Sequence, residues 1–110
     1  MNREAALKTI GECREKIDDL DLRILTLLNE RTRVVEEIGR AKRVLNMPIY
    51  EPKREDEVYA NIISRNSGPL PADAVRRVFE RIIDEMRNVQ KLRMAEKEST
   101  SPAGTEGISK

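Results

Sequence analysis

The fold is decided by one stretch, residues 10–45, which reads IGECREKIDDLDLRILTLLNERTRVVEEIGRAKRVL. From Ile10 to Leu45, mostly apolar residues recur at alternating spacings of three and four. This heptad pattern is typical of a long amphipathic helix that packs against another helix. Because no proline occurs before Pro48, we predict one uninterrupted helix from about Arg3 to Leu45.

The predicted length of this helix indicates a dimer. About 40 residues at ~1.5 Å each span roughly 60 Å, whereas a compact domain of 110 residues is only about 35 Å across. Much of the apolar seam would therefore extend beyond its own domain. We predict that a second copy of the chain covers the seam, which gives an intertwined helical homodimer.

Two further helices are predicted downstream. Pro52 suits the first turn of a short helix that ends near Arg65. Pro71 opens a third helix, whose apolar pattern fades near Leu92 or Met94. The predicted fold class is all-α, with a very long, a short and a long helix.

The chain is predicted to form one domain and a tail. We assign residues 1–96 to a single helical domain. Residues 97–110 read KESTSPAGTEGISK and contain almost no large apolar side chain. We therefore predict that this tail is disordered.

Composition excludes several functional classes. The chain has 21 basic and 20 acidic residues, a net charge of +1, which gives no support to a nucleic-acid or membrane partner. It has no histidine and one cysteine, Cys13, so histidine-dependent catalysis and histidine metal sites are excluded and no metal or cofactor is predicted. Cys13 lies on the apolar stripe and is expected to be a small buried residue. A lone cysteine forms no disulfide within the chain, which fits a cytoplasmic protein.

Several polar residues occupy positions where the apolar pattern expects a hydrophobic side chain. Arg31 lies on the seam, and a buried guanidinium needs an anion because it keeps its charge. Lys42 follows eleven residues later, about 20° from the same helix face. On the third helix, Gln90 continues an apolar row and directs an amide inward. The predicted inward-pointing set is rich in cations, suits a small polyanionic ligand, and comprises Arg14, Arg31, Lys42, Arg54, Glu55 and Gln90.

Two interpretations of this set remain open. In ordinary ion pairing, Arg31 would bind a glutamate of the second chain and Lys42 would be solvated. In a ligand site, the same cations would bind a small anion. Arg14 lies about 100° from the Arg31 face, so it would reach such a site more easily from the second copy.

Three segments of the sequence resemble those of the all-helical chorismate mutases, the AroQ class, over roughly residues 7–92. They read CREKIDDLDLRILTLLNERTRVVEEIGRAK, PIYEPKREDEV and FERIIDEMRNVQ. The Asn-Ser-Gly-Pro turn at residues 66–69 and the second helix look most like mutase domains joined to 3-deoxy-arabino-heptulosonate 7-phosphate synthase.

The resemblance implies an isomerase that converts chorismate to prephenate in phenylalanine and tyrosine biosynthesis, without a cofactor or covalent intermediate. It also implies sites shared between the two chains of a homodimer. Arg31 and Arg14 of the partner subunit would bind the two carboxylates of the substrate. Lys42 and Gln90 would donate to the ether oxygen of the breaking bond. Glu55 would accept a hydrogen bond from the ring hydroxyl.

The resemblance assigns three more residues to the same pocket. Glu51 and Arg54 would line the end near the second helix. Met86 stands where the family often has serine, so a backbone group would have to replace one contact to a carboxylate.

Two alternative functions remain open. One is an isochorismate pyruvate lyase of the same fold, and the other is a non-catalytic dimerisation or regulatory module. The enzyme is also a candidate to dock on another enzyme of the aromatic pathway.

Overall fold

The computed structural model describes residues 1–100, and side chains up to residue 96. Three helices account for most of this range: α1 (Arg3–Leu45), α2 (Pro52–Arg65) and α3 (Ala72–Thr100). No strand occurs within residues 1–100, so the predicted all-α fold with a very long, a short and a long helix is confirmed. No helix in this part of the chain is both long and apolar enough to cross a membrane.

Residue contacts divide the chain into two compact units, and the boundary falls inside α1. The first unit, Met1–Val34, is the N-terminal part of that helix. Asn2 caps it, since its side-chain Oδ1 accepts a hydrogen bond of 2.7 Å from the backbone N–H of Ala5. Large apolar side chains of the predicted seam are exposed in the single chain, among them Ile17 at 53%. Cys13 is also exposed, because no other element of this unit covers the stripe on which it lies.

The second unit begins at Val35 and contains the end of α1 together with α2 and α3. Its most buried apolar side chains all belong to α3: Val75, Ile83 and Met86. One face of α2 packs against α3 with half-buried side chains. At one point of this contact, the guanidinium of Arg76 lies 4.2 Å from the centre of the Tyr59 ring.

The end of α1 has a geometry that turns the chain back toward the helix. Asn46 adopts a positive φ of 57°, which asparagine tolerates better than most residues. The N–H of Met47 then donates to the carbonyl of Lys42 at 2.8 Å, and the N–H of Asn46 donates to the carbonyl of Arg43 at 3.2 Å. These two bonds form a Schellman motif, which brings the segment after α1 over the side chain of Lys42.

The end of α3 differs from the sequence prediction. The helix continues through residues 97–100, although the apolar pattern fades near Met94. Alanine, glutamate and lysine dominate residues 95–98, and these are good helix formers even without an apolar face. Residues 101–110 of the predicted tail lie outside the described residues, so that part of the tail stays a prediction.

Candidate active site

Lys42 is a buried cation at the end of α1. Its residue exposure is 8%, and Nζ lies 2.7 Å from Oε1 of Glu51. The same Nζ donates to the carbonyl of Ile49 at 3.0 Å. Both acceptors belong to the segment between α1 and α2, which the Schellman motif folds over the helix end. Lys42 therefore points inward, and the alternative in which it is solvated is wrong for this chain.

An ammonium group has three N–H donors. Glu51 and Ile49 accept from Lys42, and no other acceptor for its ammonium group occurs among the described residues. One donor of this buried cation is therefore left for a further acceptor.

Gln90 is a buried amide on α3. Its residue exposure is 9%, and its Nε2 donates to the backbone carbonyl of Val35 at 3.2 Å. A primary amide has two N–H donors, and within the described part of the chain the second has no acceptor, as in Lys42. The side chain also passes close to α1, where a Cβ added at Gly39 would lie 3.6 Å from Cγ of Gln90.

A cavity of about 480 Å³ opens beside Gln90, between the ends of α1 and α3. Arg40 and Arg43 line it from α1, and Ile49 and Met94 supply apolar walls. Of the residues predicted for the site, only Gln90 lines this cavity. The second unit therefore does not by itself enclose all of its predicted site residues in one cavity.

Glu55, in the first turn of α2, is held by a residue that sequence reasoning missed. Nη2 of Arg87 on α3 donates to Oε2 of Glu55 at 2.6 Å, and both side chains are mostly buried, at 24% and 20% exposure. The hydrogen bond to Glu55 is the main reason why the pKa of Arg87 is raised above its usual value. The guanidinium also lies over the Tyr50 ring, 5.1 Å from its centre.

A sequence signal for Arg87 exists. It lies four residues after the buried Ile83 and three before the buried Gln90, which places it beside the inward-facing row of α3. A charged residue at this spacing indicates an inward cation by the same reasoning that singled out Arg31.

Two more of the predicted site residues are Arg54 on α2, which is exposed, and Met86 on α3, which is buried. Arg54 is 66% exposed, and its Nη1 pairs with Oε1 of Glu57 at 3.3 Å on the same helix. The prediction that Arg54 points inward is therefore wrong for the single chain, because a turn-neighbour carboxylate satisfies it at the surface. Met86 is buried in the apolar core of the second unit, at 7% exposure.

The remaining two predicted residues belong to the first unit. Arg31 is half-buried and Arg14 is exposed. Both lie on α1, which runs from Arg3 to Leu45. Arg14 is exposed, so it could help to bind a ligand only if a second surface lay against it. A single copy of the first unit does not supply that surface.

The chemistry available in the second unit is donation and acceptance of hydrogen bonds. Lys42 and Gln90 are buried and each has a donor to spare, and Glu55 is a half-buried acceptor that Arg87 holds in place. Fixed donors of this kind stabilise negative charge that develops on a substrate oxygen. No histidine occurs in the sequence, so histidine-dependent nucleophilic catalysis is not available.

Comparison with known proteins identifies a consistent set of relatives. The family model for chorismate mutase type II matches residues 13–91. The chain is 34% identical over 89 residues to a bifunctional chorismate mutase/prephenate dehydratase of Aquifex aeolicus, which covers 77% of this chain and 25% of that protein. It is 36% identical over 56 residues to a chorismate mutase of Methanocaldococcus jannaschii, which covers 51% of this chain and 57% of that protein.

Solved structures give the same result. Chorismate mutase (form II) from Thermus thermophilus superposes with a TM-score of 0.74 at 37% identity, covering 76% of this chain and 94% of that one. Chorismate mutase from Helicobacter pylori in complex with prephenate gives a TM-score of 0.77 at 26% identity, covering 82% and 98%. The chain spans only 25% and 21% of the lengths of the bifunctional relatives from Aquifex aeolicus and Neisseria gonorrhoeae, but nearly all of these solved chains.

Proposed function

Because the chain belongs to the chorismate mutase type II family, we propose that it converts chorismate to prephenate. The reaction is an intramolecular rearrangement in which one C–O bond breaks and one C–C bond forms. It needs no nucleophile, and it is accelerated by holding the substrate in a compact conformation and stabilising charge on the ether oxygen. The solved relative from Helicobacter pylori is a complex with prephenate, which supports this choice of reaction.

The observation that carries the proposal is the pair of buried side chains with one donor to spare. Lys42 has used two of its three N–H donors, and Gln90 has used one of two. A buried donor without an acceptor is costly, so a site with such donors favours a ligand that brings oxygen acceptors. We assign both donors to the ether oxygen, where negative charge grows as the C–O bond breaks.

The other roles follow from the family motifs. Arg31 and Arg14 of the partner subunit bind the two carboxylates, for which planar guanidinium groups are suited. Glu55 accepts a hydrogen bond from the ring hydroxyl. Glu51 keeps Lys42 in place, since it is already the ion-pair partner of that residue.

We further propose that the active form is a homodimer with shared sites. The apolar seam of the first unit is exposed in the single chain, with Ile10, Leu20 and Ile24 each between 46% and 53% exposed. A second copy would cover this seam by helix packing and would bring an otherwise exposed Arg14 to a site. Sedimentation equilibrium at micromolar concentration should give twice the chain mass of 12.6 kDa. A monomer that retains full activity would contradict this part of the proposal.

The function is tested by adding chorismate to the purified protein and following the loss of its diene absorbance, with the product identified by NMR. We expect stoichiometric prephenate. Lys42→Met should keep the helical circular-dichroism spectrum but lose at least about two orders of magnitude in kcat/KM. Isochorismate is assayed in parallel, because pyruvate release from it without turnover of chorismate would indicate the lyase instead. Turnover of neither substrate would favour a non-catalytic module.

Cellular context remains at the level of prediction. A lone cysteine supports a cytoplasmic location. Several relatives join the mutase to prephenate dehydratase, which supports docking on another enzyme of aromatic biosynthesis. Co-purification with the enzymes that consume prephenate would test the docking.

A further inference from the structure

Arg87 is a half-buried cation that contacts a residue of the proposed site, and the family resemblance gives it no role. Its guanidinium binds Oε2 of Glu55 through Nη2 at 2.6 Å and lies over the Tyr50 ring. Nη1 has a longer contact of 3.4 Å to the exposed Asp84 on the same helix. The short contact therefore goes to the more deeply buried carboxylate, on another helix.

The pairing leaves part of the Glu55 carboxylate available. A carboxylate has two oxygens with about four acceptor positions, and Arg87 occupies a position on Oε2 only. No hydrogen bond to Oε1 of Glu55 occurs among the described residues. Glu55 is thus able to accept from Arg87 and from a ligand hydroxyl at the same time.

Arg87 also restricts where Glu55 can lie. A free glutamate side chain rotates about three bonds, and ordering it on ligand binding costs conformational entropy. The Tyr50 ring packs against the guanidinium, and Nε of Arg87 is buried without a hydrogen-bond partner among the described residues. The guanidinium is therefore held by contacts to Glu55 through Nη2 and to the Tyr50 ring, and not through Nε.

We propose that Arg87 is a positioning residue: it fixes the Glu55 carboxylate so that its free oxygen accepts the ring hydroxyl of the substrate. This inference rests on the proposed function, in which Glu55 has that role. Arg87 touches Glu55 and not the reacting atoms, so its effect depends on whether the substrate has the hydroxyl. It therefore also determines specificity for a hydroxylated ring.

The test compares two substrates on the same protein preparations. One is chorismate, and the other is its analogue with hydrogen in place of the ring hydroxyl, which can still rearrange because the hydroxyl takes no part in the bond changes. The variants are Arg87→Met, Arg87→Gln, Arg87→Lys and Glu55→Gln. Arg81→Met is the matched control, since Arg81 lies on the same helix with its side chain 78% exposed and pairs with Glu85 at the surface.

We expect Arg87→Met to lower kcat/KM for chorismate by about tenfold or more and to change that for the deoxy analogue by less than about twofold. Arg87→Gln should behave in the same way, and Arg87→Lys should recover part of the loss because it keeps a charged donor near Glu55. Adding Arg87→Met to Glu55→Gln should cost little more, because the two residues act as a unit. Arg81→Met should match the parent with both substrates.

The ratio of the two kcat/KM values is the decisive readout. A preparation that is partly unfolded has fewer active sites for both substrates equally, so poor folding of one variant leaves the ratio unchanged. The positioning role would be overturned if Arg87→Met and Arg87→Gln kept the ratio of the parent protein. This would be so whether neither substrate lost activity or both substrates lost it equally. A parent protein that turns over neither substrate would instead defeat the proposed function, and this inference with it.

Discussion

Replacing Gln90 by glutamate tests the proposed donor to the ether oxygen. In the structure, the Gln90 amide is buried at 9% exposure and its Nε2 faces the Val35 carbonyl at 3.2 Å. An ionised carboxylate has no proton to donate there, either to Val35 or to a substrate oxygen. Gln90→Glu can therefore donate only in its protonated form.

The expected size of the effect follows from the titration of that glutamate. With an ordinary pKa of about 4.3, roughly one molecule in 1,600 is protonated at about pH 7.5, and about one in six at about pH 5. Activity relative to the parent would then recover about 250-fold between these values. Burial raises the pKa of a carboxyl, and at a pKa of about 6 the recovery would be about 30-fold.

The same substitution predicts a change in stability with a definite sign. A glutamate whose pKa is raised by folding stabilises the folded state below its unfolded pKa, and this contribution is lost as the pH rises through the folded value. Gln90→Glu should therefore melt at a lower temperature than the parent at about pH 7.5 and approach it near about pH 5.

The assay is kcat/KM for chorismate between about pH 5 and 8, on the parent, Gln90→Glu and Gln90→Met. The methionine variant has no donor at any pH, so it should be weak and should not recover in acid. Parallel pH profiles for Gln90→Glu and the parent would refute the assignment of this donor.

Three further predictions concern other parts of the chain. Arg31→Lys should fold and dimerise but lose about two orders of magnitude in kcat/KM, on the order of 3 kcal/mol, since an ammonium does not reproduce bidentate carboxylate binding; near-normal kinetics would assign Arg31 to structure. Deleting residues 101–110, which contain one large apolar residue, should leave Tm and turnover unchanged, and a tenfold loss would show that they act on the site. Burial, followed by the nearby Glu80, raises the pKa of Tyr59 above 10.0, so this residue's contribution to stability should fall as the pH rises above about 10. Urea unfolding at about pH 9 and 11 should show a smaller loss in Tyr59→Phe, and equal losses would remove Tyr59 as a cause.

The helix boundaries were predictable because they depend on local chemistry. Pro52 begins α2 and Asn46 ends α1 through its positive φ, and both residue types act through their own backbone preferences. The end of α3 was not predicted, because a helix without an apolar face leaves no periodic signal. Residues 95–98 read AEKE, and these residue types favour continuation of α3 through their helix propensity.

Sequence periodicity could predict which side chains of one helix point inward, but not which side chains of different helices contact each other. Periodicity correctly indicated that Lys42 and Gln90 point inward, since each is positioned by its own helix. The pairing of Glu55 with Arg87 joins residues 32 positions apart, and no spacing rule within a helix contains that contact. Arg54 shows the converse: it was predicted to point inward, but it is exposed and pairs with Glu57 on its own helix.

The measurement that tests the central claim most directly mixes two inactive variants, Arg14→Ala and Arg31→Ala. They are unfolded together in equal amounts and refolded, so that about half of the dimers contain one chain of each. If each site combines Arg31 with Arg14 of the partner subunit, every mixed dimer has one intact site and one with both lesions. Chorismate turnover should then return to about a quarter of the parent value. No recovery, with mixed dimers confirmed by native mass spectrometry, would contradict a mutase site shared between two chains.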